Sequence, residues 1–446
     1  MNKPHPNPKL NNLSMKEREN GIHDLHGVAD IPQENGALVR STLEQLRKQL
    51  SLNDSVAIDD SELIKFLRAE NFDTPKACGR LNRFSTFQTK LFGKHGRMRV
   101  SELDEEDSKI LQSGSMQLLP ERDNAGRAII MCLGAMKQQL KTSLESDLRC
   151  LSLLVSKAAK DEETQKRGVV VVYYALAQRA YDGRNNRPVQ LLKAFESLPA
   201  RVVATHFCYD NSAMKPLLNL LSNHMETKML CRFRSHYGQH AECQYSLMSF
   251  GIPKECLPID AFGQVDLTNH QMLLKRIKLE EEQHPPGTTD SGHNPVAEGK
   301  IKAEKFLIPG YLDIILGRGQ HAKNTPGHQR FKQLIEAQQP RYEAAEKSLK
   351  TVVADAILKE LKEAGCRFLK PRPQGGWVQV NDDAGREKIN HAFRNLRNNS
   401  RRAAAAAAST TQSCSRKRAF EDDLDSEMYR PFKLTADFSA SDFFPL

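Results

Sequence analysis

Leu63 to Asp73 reads LIKFLRAENFD, and this stretch decides how the first half of the chain is read. Asp59 and Asp60 stand where a helix N-cap belongs, and Leu63, Phe66 and Leu67 follow at i, i+3 and i+4, which gives one apolar helix face. Lys65 and Arg68 fall off that face. By itself this is an ordinary amphipathic helix, and its neighbours supply the context. Helical patterns at 37–50 and 75–92 flank it. Apolar runs and helical patterns then alternate: a strand at 128–133, a helix near 144–160, a strand at 169–174, a helix at 187–197, a strand at 202–208, a helix at 213–225 and a strand at 229–235. Such alternation predicts an α/β domain with a mostly parallel sheet and covering helices. Val169 to Tyr174 (VVVVYY) contains no charged residue, as expected of a strand buried on both faces.

Taken in order, five segments resemble the CRAL-TRIO family of carriers of single hydrophobic molecules. They are FLRAENFD at 66–73, DNAGR at 123–127 leading into the strand Ala128 to Leu133, VVVVYYAL at 169–176, PARVVATHF at 199–207 and GIPKECLP at 251–258. The resemblance implies N-terminal helices over 37–100 and a lipid-binding domain over 110–265, with a gating helix near Gln239 to Phe250. It also implies a cavity on one side of the sheet, for which Tyr173, Phe207 and Phe233 are wall candidates; the alternative is that these aromatics are plain core. Two departures bear on the ligand. The acidic residue that follows the proline in phosphoinositide-transferring members is Ala200 here, and the lysine of the later strand is replaced by Cys231 or Arg232. Arg201, Arg232 and Arg234 are the side chains left to meet a phosphate.

The 446 residues suffice for two domains with tails, and each can bury a core. Residues 1–36, polar and without periodicity, are expected to be disordered, and 279–305 to be a linker. No apolar run is long enough to span a bilayer and no secretory h-region opens the chain, so an intracellular protein is expected. The nine cysteines are odd in number and show no C-x-x-C, which favours reduced thiols.

A second domain is expected at 309–399, small, α+β and basic: Tyr311 to Arg402 holds 18 Lys or Arg against 10 Asp or Glu. LDIILGRG at 312–319, TPGHQRF at 325–331, GCRFL at 365–369 and GGWVQVND at 375–382 resemble a domain of unknown function expanded in diatoms. Thr325 and Pro326 form an N-cap and N1 pair, and the helix start beside Arg318 and Lys323 suits an anion. A helix over 342–361, a hairpin pairing 368–369 with 377–380, and a last helix opened by Asp382 or Asp383 complete it. On that helix Ile389, Ala392, Phe393 and Leu396 make the buried stripe, while Arg386, Asn390, Arg394 and Arg397 share another face. With Lys370 and Arg372 they form a candidate DNA contact, whose alternative is a solvated surface. Trp377 reads as core.

Residues 400–446 are expected to be a disordered tail. Arg401-Arg402 and Arg416-Lys417-Arg418 resemble a bipartite nuclear import signal, and the acidic, aromatic end beyond them suits a protein partner. No catalytic residue is identified and no cofactor is called for. His236, His240 and Cys243 have helical spacing but lack a fourth ligand, so no metal site is assigned. The expected function is non-enzymatic binding of one hydrophobic or phospholipid molecule, with lipid transfer or ligand-dependent regulation as its forms. The alternative is a nuclear, nucleic-acid-binding regulator.

Overall fold

The computed structural model describes residues 8–51, 58–93, 99–100, 103–178, 186–283, 305–310, 312–317, 326–346, 349–373 and 376–416. They fall in two compact units, Met1–Ile389 and Asn390–Leu446. The first opens with α1 (Met15–His26), then α2 (Gly36–Ser51), α3 (Asp60–Ala69) and α4 (Thr74–Phe92). Leu63, Phe66 and Leu67 pack with Leu46, Ala77 and Leu81 of the neighbouring helices. Arg68, off that stripe, bridges Glu34 at 2.7 Å and Glu162 at 2.9 Å. Asn71 and Phe72 take left-handed φ values of 50° and 62°, which turns the chain so that Asp73 can cap α4.

Segment 1–36 departs from the disordered expectation where it is described. Ser14 and Glu17 close a capping box and Gly27, at φ 70°, ends α1. Leu25 is fully buried against the central sheet, and that burial with the caps offsets an otherwise polar composition.

That sheet has the order β1-β2-β3-β4-β5, built from β1 (Met116–Leu118), β2 (Ala128–Leu133), β3 (Val169–Tyr174), β4 (Val202–Tyr209) and β5 (Phe233–Tyr237). β1 is antiparallel and the rest are parallel. Between and after the strands come α5 (Glu105–Ser113), α6 (Gly134–Leu140), α7 (Leu144–Ala158), α8 (Glu162–Arg167), α9 (Arg187–Ala194), α10 (Lys215–His224), α11 (Thr227–Cys231), α12 (His240–Met248) and α13 (Thr268–Gln283). Alternation sorts the side chains to two faces. Ile129, Met131, Val170, Val172, Tyr174 and Cys208 pack with Leu25 of α1 and Cys243 and Leu247 of α12. On the other side α4 and α7 cover one end of the sheet and α10 covers the rest. The strand expected from 229 begins at Phe233, because residues 227–231 form α11.

A second sheet has the order β6-β7-β10-β9-β8, from β6 (Gln264–Asp266), β7 (Lys305–Leu307), β8 (Ile314–Ile315), β9 (Phe368–Pro371) and β10 (Trp377–Gln379). α14 (Pro326–Ala344), α15 (Leu349–Glu363) and α16 (Asp382–Arg416) accompany it. The expected helix, helix, hairpin and helix are all present, but the expected boundaries shift. β6, from the end of the larger domain, pairs with β7, whose first residue ends the expected linker. The other end of that linker begins inside α13. Ile308, Ile315, Leu369 and Trp377 share one core with Ile259 and Val265. Of the expected disordered tail, residues 400–416 continue α16, in keeping with the high helix propensity of the six alanines.

Candidate functional site

Past the irregularity at Val169/Val170 the β3–β4 register sets Tyr173 opposite Phe207. Their rings stack with centroids 5.1 Å apart at 14°. Phe207 meets Tyr209 at 6.1 Å, and Tyr209 meets Tyr237 edge-on at 5.3 Å. Phe233 packs on the same layer. Met214, Leu217, Leu218, Leu221, Met225 and Leu230 roof it. All three wall candidates are thus brought together, against α10. The helix expected to gate them, α12, buries His240, Cys243, Gln244 and Leu247 on the opposite side of the sheet. The helix that covers this aromatic layer is α10, so the gating helix implied by the resemblance lies on the other face.

Polar groups that the sequence did not single out border the layer. The Gln178 amide donates to the Tyr173 hydroxyl at 3.3 Å, while its carbonyl oxygen is buried without a partner. Burial pushes the Tyr173 hydroxyl up. The charges of Asp147 and Arg187 reach the same hydroxyl; Asp147 is buried and pairs with Lys137 and Arg187. Burial holds Lys137 below its ordinary value. At the end of β4, burial raises the Asp210 carboxyl to about 6 even though it accepts from the Ala177 N–H at 3.0 Å.

The arginines proposed for a phosphate are placed differently from the expectation. Arg201 and Arg232 both converge on Asp24 of α1, at 3.2 and 2.6 Å, so a carboxylate from the segment expected to be disordered holds them. Arg127, paired with Asp123, also donates to the Asp24 carbonyl. Arg234 donates to the carbonyls of Cys231 and Phe233. Beside them His206 Nδ1 and His236 Nε2 lie 3.0 Å apart, and Phe250 packs on both rings. Asp24 was missed because a lone Asp in a polar helix carries no spacing signal. The helix itself was legible in Ser14-x-x-Glu17 and Gly27.

His240 Nδ1 lies 3.0 Å from the Tyr174 hydroxyl, while His236 faces His206 and the Cys243 thiol faces backbone carbonyls. Among the described residues no three metal-ligating side chains converge.

In the small domain Arg386 is tied to Asp355 at 2.5 Å and Asp383 at 2.8 Å, which removes it from the expected free basic face. Lys370 is exposed on β9 and Arg372 is half-buried after it. Trp377 is core, 2% exposed. A hollow of about 200 Å³ lies between α14 and α15, lined by Arg330, Gln333, Leu334, Glu360, Leu361 and Ala364. Arg318 and Lys323 lie outside the described residues. In the second unit Asn390, Arg394, Arg397 and Arg401 lie on α16, with Arg394 and Arg401 exposed. Arg402 and Arg416 continue that helix, and Lys417, Arg418 and the acidic, aromatic end lie outside the described residues.

A parallel-rich α/β sheet with an aromatic layer covered by α10, α11 and the turns beside them is thus joined to a small α+β domain. Comparison with known proteins agrees with this division. Over about half its length the chain is similar to CRAL-TRIO proteins. It is 22% identical to an alpha-tocopherol transfer protein-like protein of Homo sapiens over 223 residues, 49% of this chain and 63% of that one. It is 23% identical to the Mus musculus counterpart over 45% of this chain and 59% of that one. To clavesin-1 of Xenopus laevis it is 23% identical over 52% of this chain and 69% of that one. The chain spans somewhat less than two thirds of the first two relatives' lengths. The crystal structure of Sfh5 aligns at 12% identity with a TM-score of 0.30, covering 50% of this chain and 81% of that one. Residues 313–395 match the family described as a domain of unknown function, DUF6824.

Proposed function

We propose that the larger domain binds one hydrophobic molecule, without catalysis, between β3–β5 and α10, with Tyr173, Phe207 and Phe233 as the wall. The carrying observation is the aromatic layer itself. A stacked Tyr173–Phe207 pair under a ten-residue helix that packs through Leu217, Leu218 and Leu221 is an apolar surface with one short helix as its main cover. The relatives named for alpha-tocopherol transfer support the same class of ligand. The Tyr173 hydroxyl and the Gln178 carbonyl are uncharged polar groups at the rim, and the charges of Asp147, Lys137 and Arg187 beside them already pair with one another, which favours a ligand with one small polar head over one with a large charged head. Lipid transfer is the form this binding takes when α10 opens at a membrane. No described helix is long and apolar enough to cross that membrane.

Native mass spectrometry of the full chain tests the reading. A copurifying molecule of defined mass, or uptake of a fluorescent lipid that falls at least tenfold in Phe207→Trp, supports it. A chain that carries nothing and takes up nothing overturns it.

A further inference from the structure

The first described residues of the chain lie against the cover of the aromatic layer. Pro8–Asn12 (PKLNN) is a single turn of 3-10 helix. Its one apolar side chain besides the proline, Leu10, packs on the cluster that holds Leu217, Leu221, Met225 and Leu230. Beside it Lys9 Nζ donates to the Asn223 carbonyl at 2.5 Å. Asn223 lies in the last turn of α10, where carbonyls run out of intrahelical partners and a cation suits the helix dipole. Residues 225 and 226 then join α10 to α11, so Lys9 and Leu10 sit at the corner of the cover.

The two sides of that corner are held differently. α11 is pinned to α1: Gly21 lies so close that a Cβ there would come within 2.5 Å of the Cys231 Cβ, and Arg232, directly after α11, pairs with Asp24 at 2.6 Å. α1 in turn is anchored by Asp24, by the fully buried Leu25 and by the His26 ring stacked 4.8 Å from Phe250. The 3-10 turn is fastened to this same support. Leu13 is buried, its N–H donates to the Leu10 carbonyl at 3.3 Å, and its own carbonyl accepts from Arg18 Nε at 3.2 Å. α10 meets the layer through Leu217, Leu218 and Leu221, while Lys215, Pro216, Asn219 and Asn223 face solvent. From the fixed support, Lys9 and Leu10 reach across to it.

We propose that residues 8–13 are a catch on the cover. By bracing the corner at 225–226 they set the rate at which α10 moves off the aromatic layer, and with it the rate at which a bound molecule leaves. The inference rests on the reading of that layer as the ligand site and adds its regulation: exchange is governed by a segment 214 residues away in sequence, not by a group that touches the ligand.

The test uses the full chain and two variants, Lys9→Ala and Leu10→Ser. Hydrogen exchange without ligand reads the cover: amides of residues 215–224 are expected to exchange at least fivefold faster in each variant, with those of β3, 169–174, at the parental rate. Release of cholesterol carrying a nitrobenzoxadiazole fluorophore, from loaded chain to phosphatidylcholine vesicles, reads the consequence. Its rate is expected to rise at least fivefold while the amount taken up at saturation stays parental. Lys9→Ala leaves the Leu10 contacts in place and so covers the case in which Leu10→Ser does not fold. A gain in exchange below fivefold at 215–224, or an equal gain at 169–174, overturns the catch, as does unchanged release from a loaded chain whose α10 exchanges faster. If the parent takes up no probe the ligand reading fails by itself, and hydrogen exchange still decides whether the turn holds α10.

Discussion

Leu369→Ala tests whether the two sheets share one core. Leu369 is fully buried on β9, in the cluster that holds Trp377, Ile308, Val265 and the β2–β4 side chains. Truncating a buried leucine removes three carbons, about 2.4 kcal/mol of transfer free energy. The cavity left behind brings the cost to about 3–5 kcal/mol. For a cooperative unit as large as Met1–Ile389, with an unfolding entropy of about 0.8 kcal/mol/K, that lowers Tm by about 4–6 °C. The chain has a single tryptophan, Trp377, so its fluorescence reports the second sheet while far-UV circular dichroism reports mainly the larger helical domain. With a shared core, both signals move down together and remain superimposable. If Trp377 fluorescence shifts by about 5 °C or more while the dichroism transition stays at its parental temperature, the sheets unfold independently and the shared core is wrong.

A second expectation concerns pH. Burial and then Arg234 hold His236 at about 4, against the usual 6.5, so between those values the unfolded chain takes up a proton that the folded one refuses. Its contribution is whole above about 6.5 and lost as pH falls toward 4, and urea midpoints of His236→Phe across that window should depend less on pH than the parent's. If the full chain binds DNA at low salt, Arg386→Ala should leave that binding unchanged, because Arg386 is already held by Asp355 and Asp383; a gel-shift titration of parent and variant checks it. Replacing Arg416, Lys417 and Arg418 with alanine should move a fluorescent fusion toward the cytoplasm if these residues direct import; microscopy showing an unchanged distribution sinks that reading.

Much of the fold was legible because periodicity is a strong signal over long elements. β2 and β3 fall on the expected residues, and α4, α7 and α10 fall close to them. The second sheet was harder to read. β6, β7 and β8 are three, three and two residues long, too short to show alternation, and their pairing is set by burial against a core made elsewhere in the chain. At the site, Tyr173, Phe207 and Phe233 were wall candidates through the cavity that the resemblance implies. Which helix covers them was not legible, since α10 and α12 both follow sheet strands closely in the chain and only topology assigns each to a face. The Asp24 pairings span separations of 177 and 208 residues, and nothing local announces them.

The pairing of β6 with β7, and of β7 with β10, has a consequence for synthesis on the ribosome. Val265 emerges early, yet the strand that completes its sheet carries Trp377, roughly 110 residues later, a delay of about 6–20 s at ordinary elongation rates. Throughout that interval Ile259, Leu257 and Val265 are without the cover that Ile308, Leu369 and Trp377 later supply. The nascent larger domain thus carries an uncovered apolar edge until the domain of unknown function arrives, and a chain terminated before residue 377 should accumulate as aggregate rather than as a working half.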